Sequence, residues 1–160
     1  MVKNDYTQQS NKKLRKLNNM SIPILICDDS LVSRKTIQKS LPKGWDVNIT
    51  LAKNGVEGLE KIRQGLGEVV FLDLTMPEMD GFQLLEIIKK EQLKSFVIVI
   101  SADIQPEARA RVLNLGAIDF IKKPIDAKTL AASLKNFGLL WLAYLALPKI
   151  NATAYKKSST

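Results

Sequence analysis

The chain has 160 residues, 46% of them hydrophobic and 25% charged, with a formal net charge of +8; that is enough for one globular domain with tails and is ordinary for a soluble protein. The absence of histidine excludes a histidine phospho-donor, a histidine-dependent hydrolase and a histidine-ligated zinc site within it. The single cysteine, Cys27, excludes an internal disulfide, suits a reducing cytoplasm, and lies in an apolar run that marks it as a buried structural thiol.

The basic excess sits at the two ends. Residues 1–20 carry Lys3, Lys12, Lys13, Arg15 and Lys16 against Asp5, and residues 149–160 add Lys149, Lys156 and Lys157, leaving the middle nearly neutral. A nucleic-acid groove within the fold is therefore not indicated. Residues 1–20 are rich in Asn, Gln, Lys and Ser and read as a flexible basic arm. No apolar stretch follows their charges, so no secretory signal is expected.

From residue 22 strands and helices alternate. Ile22 to Cys27 is a β-rich apolar run, and Ser30 to Ser40 reads as a helix with Leu31, Ile37 and Leu41 apolar among Arg34, Lys35 and Lys39. After a turn at Pro42 and Gly44, Val47, Ile49 and Leu51 alternate with polar residues, as in a half-exposed strand. Val56, Leu59 and Ile62 are spaced for one helix face, which Gly65 and Gly67 terminate. Val69 to Leu72 is continuously apolar, the pattern of a strand covered on both sides. A loop from Leu74 to Asp80 leads to a third helix with Phe82, Leu85, Ile88 and Leu93 on its buried side. Phe96 to Ile100 is another apolar strand, 106–114 a more polar helix, Ala117 to Ile121 a fifth strand, and Asp126 caps a fifth helix.

This rhythm predicts an α/β fold: a doubly wound, five-stranded parallel sheet with right-handed crossovers, in three α/β/α layers. The second strand alternates and so belongs at an edge, whereas the first, third and fourth are apolar throughout and so belong inside. The flavodoxin-like order 2-1-3-4-5 satisfies this, and in that order ligands bind at the carboxyl ends of the strands. Asp28 and Asp29 follow strand 1, Asp73 ends strand 3, Ser101 ends strand 4 and Lys123 follows strand 5. All the candidate chemical residues thus share one sheet edge.

Adjacent acids repel unless a cation or a proton intervenes, and three acids beside a lysine suit a Mg²⁺-assisted phosphoryl transfer to a carboxylate. Taken singly, Asp28 or Ser101 also reads as a helix cap or turn residue, and Lys123 as a solvated surface group like its neighbour Lys122. An aspartyl phosphatase of the DxDx[TV] type is a competing class. Its second acid is replaced here by Thr75, so the general acid for the leaving group is missing. A docking scaffold that has lost the chemistry is a third class, and all five chemical residues are retained.

The motifs ICDDS with Arg34 downstream, FLDLTMPEMDG, IVISA and GAIDFIKKP occur in the order and spacing of a CheY-like receiver domain of two-component response regulators, which the chain resembles over residues 21–136. The resemblance implies that Asp73 accepts the phosphoryl group. Asp29 would ligate Mg²⁺ directly, Asp28 would assist through water, and the backbone carbonyl of Thr75 would complete the protein ligands. It further implies that Ser101 and Lys123 sense the phosphoryl group, that Phe120 occupies the aromatic switch position and moves inward, and that the Lys123–Pro124 bond is cis. A histidine kinase or histidine phosphotransfer protein would be the donor, in bacterial signalling or chemotaxis, and the output target would dock on the face of helix 4, strand 5 and helix 5.

Residues 137–160 fall outside the resemblance. Leu139 to Leu147 is almost wholly apolar, about half the ~20 residues needed to cross a bilayer. The run folds back over the domain, mediates self-association or partner docking, or is a truncated or frame-shifted remnant of a longer output domain; Trp141 and Tyr144, three apart, would share a helix face. No helix-turn-helix pattern follows, so no DNA-binding domain is expected here.

Overall fold

The computed structural model describes residues 21–103 and 105–141, of Trp141 the backbone only. The basic arm 1–20 and most of the C-terminal segment, 142–160, lie outside the described residues. Five strands and five α-helices alternate: β1 Ile22–Cys27, α1 Leu31–Ser40, β2 Val47–Ala52, α2 Gly55–Arg63, β3 Val69–Leu72, α3 Gly81–Lys90, β4 Phe96–Ser101, α4 Pro106–Asn114, β5 Asp119–Lys122 and α5 Ala127–Asn136. A short 3₁₀ turn, Leu139–Trp141, follows.

All pairings are parallel and the strand order is β2-β1-β3-β4-β5, as the polarity of the strands implies. Residues of β1, β3 and β4 alternate between two apolar layers. Leu25, Cys27, Val70, Leu72, Val97 and Val99 join Leu59, Ile62, Leu84, Leu85, Ile88 and Val112 in one cluster under α2, α3 and α4. Ile24, Ile26, Phe71, Ile98 and Ile100 point the other way, and Ile37, Leu130 and Leu134 of α1 and α5 are buried as well. Each such side chain contributes about 1.5–3 kcal/mol on burial, so the two-sided covering is what fixes the inner strands.

Local chemistry sets the helix ends. Ser30, Asn54, Asp80 and Asp126 each accept a backbone N–H three residues on, and Asp80 with Gln83 forms a full capping box. Gly65, at φ +78°, closes α2 with bonds from Gly65 N–H to Ile62 O and from Leu66 N–H to Lys61 O. Gln92 takes the same left-handed position after α3, at φ +54°, and donates its N–H to Lys89 O.

Three details differ from the sequence expectation. The fifth strand runs Asp119–Lys122, later than Ala117–Ile121: Ala117 N–H bonds back to Val112 O and so still belongs to the end of α4. Leu31 is 55% exposed and Val56 48% exposed. Both sit in the first turn of their helices, and α2 instead turns Gly55 and Gly58 inward with Leu59 and Ile62. Leu93 lies past the end of α3, which stops at Lys90, and is only partly buried against the core.

Candidate functional site

The carboxyl ends of β1, β3, β4 and β5 converge, and the polar groups there are held by backbone as much as by side chains. Asp28 N–H donates to Ala52 O at 3.0 Å, and Asp73 N–H donates to Cys27 O at 2.9 Å, so both acids continue the sheet ladder. Asp28 is fully buried; its Oδ1 accepts the Ser30 N–H at 2.9 Å and its Oδ2 accepts from Lys123 Nζ at 2.7 Å. The Arg34 guanidinium donates to the Asp28 carbonyl oxygen at 2.7 Å, tying α1 to the acid pair.

Lys123 reaches in from the other side of the sheet. Its Nζ lies 3.4 Å from Asp73 Oδ1 as well as against Asp28. Its backbone N–H donates to Ser101 O at 2.8 Å, and the Lys123–Pro124 bond is cis. Burial and then the charge of Asp28 push the Asp73 carboxyl above the usual range, and Lys123 offsets this only in part. Burial alone would lower Lys123, but its hydrogen bond to Asp28 and the charges of Asp73 and Asp28 outweigh it and raise the ammonium. One fixed cation therefore faces two buried acids, with a third, Asp29, exposed beside them.

Carboxylate oxygens of Asp28, Asp29 and Asp73 lie within 4.8 Å of one another. All-oxygen donors with an excess of negative charge fit a small hard cation such as Mg²⁺. Thr75 is exposed two residues beyond Asp73, on the loop to α3. Ser101 is buried, and its Oγ accepts the Asp103 N–H at 3.1 Å, the turn contact that a serine alone would suggest. Lys122 is exposed, as a solvated lysine should be. Cys27 is buried beneath the acids, its thiol pushed up to about 12 mainly by burial, then by Asp28 and Asp73.

Phe120 is buried, at 8% exposure. Arg109 of α4 stands over its ring at 5.9 Å and donates to the Phe120 carbonyl at 3.4 Å. Sequence reasoning missed this contact, and it also missed the way α2 and α3 seat the loop 74–80. Gly81 N–H donates to Leu74 O and Gly55 N–H to Met79 O, both at 3.0 Å. A Cβ on Gly81 would strike the Asp73 carbonyl and come within 2.9 Å of Leu74 Cα; one on Gly55 would come within 2.7 Å of Met79 Cβ. Glycine is a poor residue for a first helical turn, and that was the available signal.

Comparison with known proteins agrees with this geometry. Residues 24–135 match the family described as the response regulator receiver domain. The transcriptional regulatory protein ZraR of Escherichia coli is 36% identical over 116 residues, 72% of this chain and 26% of its own length. A protein-glutamate methylesterase/protein-glutamine glutaminase of Geobacter sulfurreducens is 43% identical over 104 residues, 64% of this chain and 28% of its own. The chain thus spans about a quarter of the length of the curated relatives it matches. A CheX–CheY–BeF3–Mg complex from Borrelia burgdorferi superposes with a TM-score of 0.65 at 31% identity, covering 71% of this chain and 87% of that one.

Proposed function

Because the chain belongs to the response regulator receiver domain family, a family of phospho-accepting signalling switches, we propose that Asp73 is its phospho-acceptor. The observation that carries this is the position of Asp73: it ends β3, with Lys123 Nζ 3.4 Å from Oδ1 and the oxygens of Asp28 and Asp29 close by. An Asp73 oxygen attacks phosphorus, the bond from phosphorus to the donor's nitrogen or oxygen breaks, and the leaving group departs with the electron pair. Lys123 neutralises charge on the transferred group, and the Ser101 hydroxyl, at the end of β4, is the second sensor of it.

We assign Asp28, Asp29, Asp73 and the Thr75 carbonyl to Mg²⁺, which when bound supplies charge neutralisation for the transfer. The Mg and BeF3 of the Borrelia CheY complex support this reading by likeness. A histidine kinase or histidine phosphotransfer protein is the donor, and the face of α4, β5 and α5 is where a target reads the state. The chain's own chemistry is limited to accepting the group and losing it to water. Residues 1–20 are an arm and 137–160 an appended segment, outside the receiver domain.

A small-molecule phosphodonor tests the assignment. Labelling is expected with Mg²⁺ and not after chelation, and Asp73→Asn is expected to abolish it with the fold intact. Label retained at the wild-type level by Asp73→Asn would sink it.

A further inference from the structure

A buried carbonyl needs a donor, and at the end of β1 the sheet stops supplying them. Cys27 O accepts the Asp73 N–H on one side, and Asp28 N–H donates to Ala52 O on the other. The next acceptor facing β2 is the Asp28 carbonyl. β2 ends at Ala52, however, and Asn54 already caps α2, so no strand continues past Asp28 to meet it. Asp28 is fully buried. Its donor is a side chain: Arg34, in the first turn of α1, places Nη1 2.7 Å from that oxygen. The backbone N–H of Arg34 goes to Ser30 O at 3.0 Å, and Ser30 N–H returns to Asp28 Oδ1 at 2.9 Å. The turn and helix that follow Asp28 thus hold both its carbonyl and its carboxylate.

Asp29 stands between these fixed points. It is exposed, and its carboxylate makes no hydrogen bond or ion pair among the described residues. An oxygen of it nevertheless lies within 4.8 Å of those of Asp28 and Asp73. No side chain aims that carboxylate, so the backbone does. A peptide unit is planar, and holding the Asp28 oxygen also fixes the Cα of Asp29. Arg34 therefore acts on Asp29 through the peptide that joins it to Asp28.

We propose that Arg34 is a positioning residue for the cation: it holds the Asp28–Asp29 peptide so that the Asp29 carboxylate stays with the other two acids. This rests on the assignment of Asp28, Asp29 and Asp73 to Mg²⁺. A role for the guanidinium as a bare charge would act in the opposite sense. A fixed cation beside the acids repels a metal ion, so on charge alone the loss of Arg34 would tighten binding. The sign of the effect separates the two roles. Arg34 is half-buried and lines an open cleft of about 270 Å³ with Leu51, Ala52, Lys53 and Glu57. Water can reach the Asp28 carbonyl through this cleft once the guanidinium is gone, so the fold is expected to survive its removal.

Mg²⁺ titration of the full chain, followed by amide NMR shifts, tests this, with circular dichroism as the check on folding. Arg34→Leu keeps most of the stem and loses the donor. It is expected to bind Mg²⁺ about ten- to a hundredfold more weakly than the wild type. Arg34→Lys restores a donor and is expected to recover most of that loss. Arg34→Gln, equally neutral and better hydrated, gives the same reading should Arg34→Leu not fold. In an Asp29→Asn background Arg34→Leu is expected to add less than about threefold, because the group it aims is already impaired. A neutral variant that binds Mg²⁺ as tightly as the wild type, or more tightly, would overturn the proposal. So would Arg34→Lys as weak as Arg34→Leu, or losses that multiply in full in the double variant. A wild type that binds no Mg²⁺ would remove the metal assignment itself, and this proposal with it.

Discussion

Two buried carboxylates depend on Lys123, and methionine at that position removes the ammonium while keeping most of the stem. Lys123 is 21% exposed, and Asp28 and Asp73 are 1% and 8% exposed. Removing one partner of a buried pair costs about 3–5 kcal/mol. Water reaching Lys123 places this site at the lower bound, about 3 kcal/mol, a large part of the ~5–15 kcal/mol that holds a domain together. The pH dependence separates lost charge from lost packing. Burial and Asp28 already raise Asp73, and Lys123 opposes them, so without the ammonium the carboxyl rises further. A raised carboxyl contributes stability when protonated and loses it as pH climbs through its folded value. The defect of Lys123→Met is therefore expected to shrink as the pH falls from neutral towards the carboxylate range, and adding Asp73→Asn should recover part of it. With Mg²⁺ held by the acids, a concentration ~100 times its Kd should return about 2.7 kcal/mol. Urea unfolding followed by circular dichroism reads all of these. A loss below about 1 kcal/mol, or one indifferent to pH and to Asp73→Asn, would refute the charge argument.

Gly81→Ala should cost about 1–3 kcal/mol, because the new methyl group must displace the Asp73–Leu74 backbone; labelling should fall with it, and a variant as stable and as readily labelled as the wild type would contradict this. Cys27 should resist thiol reagents at neutral pH until the protein unfolds. Its thiol, raised from 9.0 to about 12, stays protonated in the folded state while the unfolded chain ionises. Stability should then fall by up to ~1.4 kcal/mol per pH unit across that window, and Cys27→Ser should flatten the slope in alkaline urea titrations. Arg109→Ala removes the cation over the Phe120 ring, with an expected loss of about 0.5–1 kcal/mol and a faster Phe120 ring flip by NMR; an unchanged flip rate would deny Arg109 a hold on the ring.

The sheet order was legible because continuous apolar strands must be covered on both sides, and Val69–Leu72 and Ile24–Cys27 are fully buried as that demands. The edge that gathers Asp28, Asp73, Ser101 and Lys123 follows from that order alone. The face of α2 was not legible. A Cβ on Gly58 would come within 2.8 Å of Cys27 Sγ, so the helix approaches β1 through its glycines, and a search for apolar side chains finds Val56 in their place. Phe120 lies in the fifth strand, where the sequence puts it, but its burial under Arg109 is a tertiary contact between α4 and β5 that no local pattern encodes. The start of β5 was misplaced because the Gly116 turn draws Ala117 back towards α4.

The bond between Lys123 and Asp28 joins residues 95 positions apart. A ribosome delivers both acid-bearing strands well before it delivers the lysine, so the nascent chain carries its acids without their cation until β5 has been made and docked. Competence to take up a phosphoryl group should thus arrive late in synthesis and all at once, confining the signal to finished molecules. Chains released before Lys123 should show no Mg²⁺-dependent labelling, and labelling of such fragments would show that the last strand is dispensable for competence.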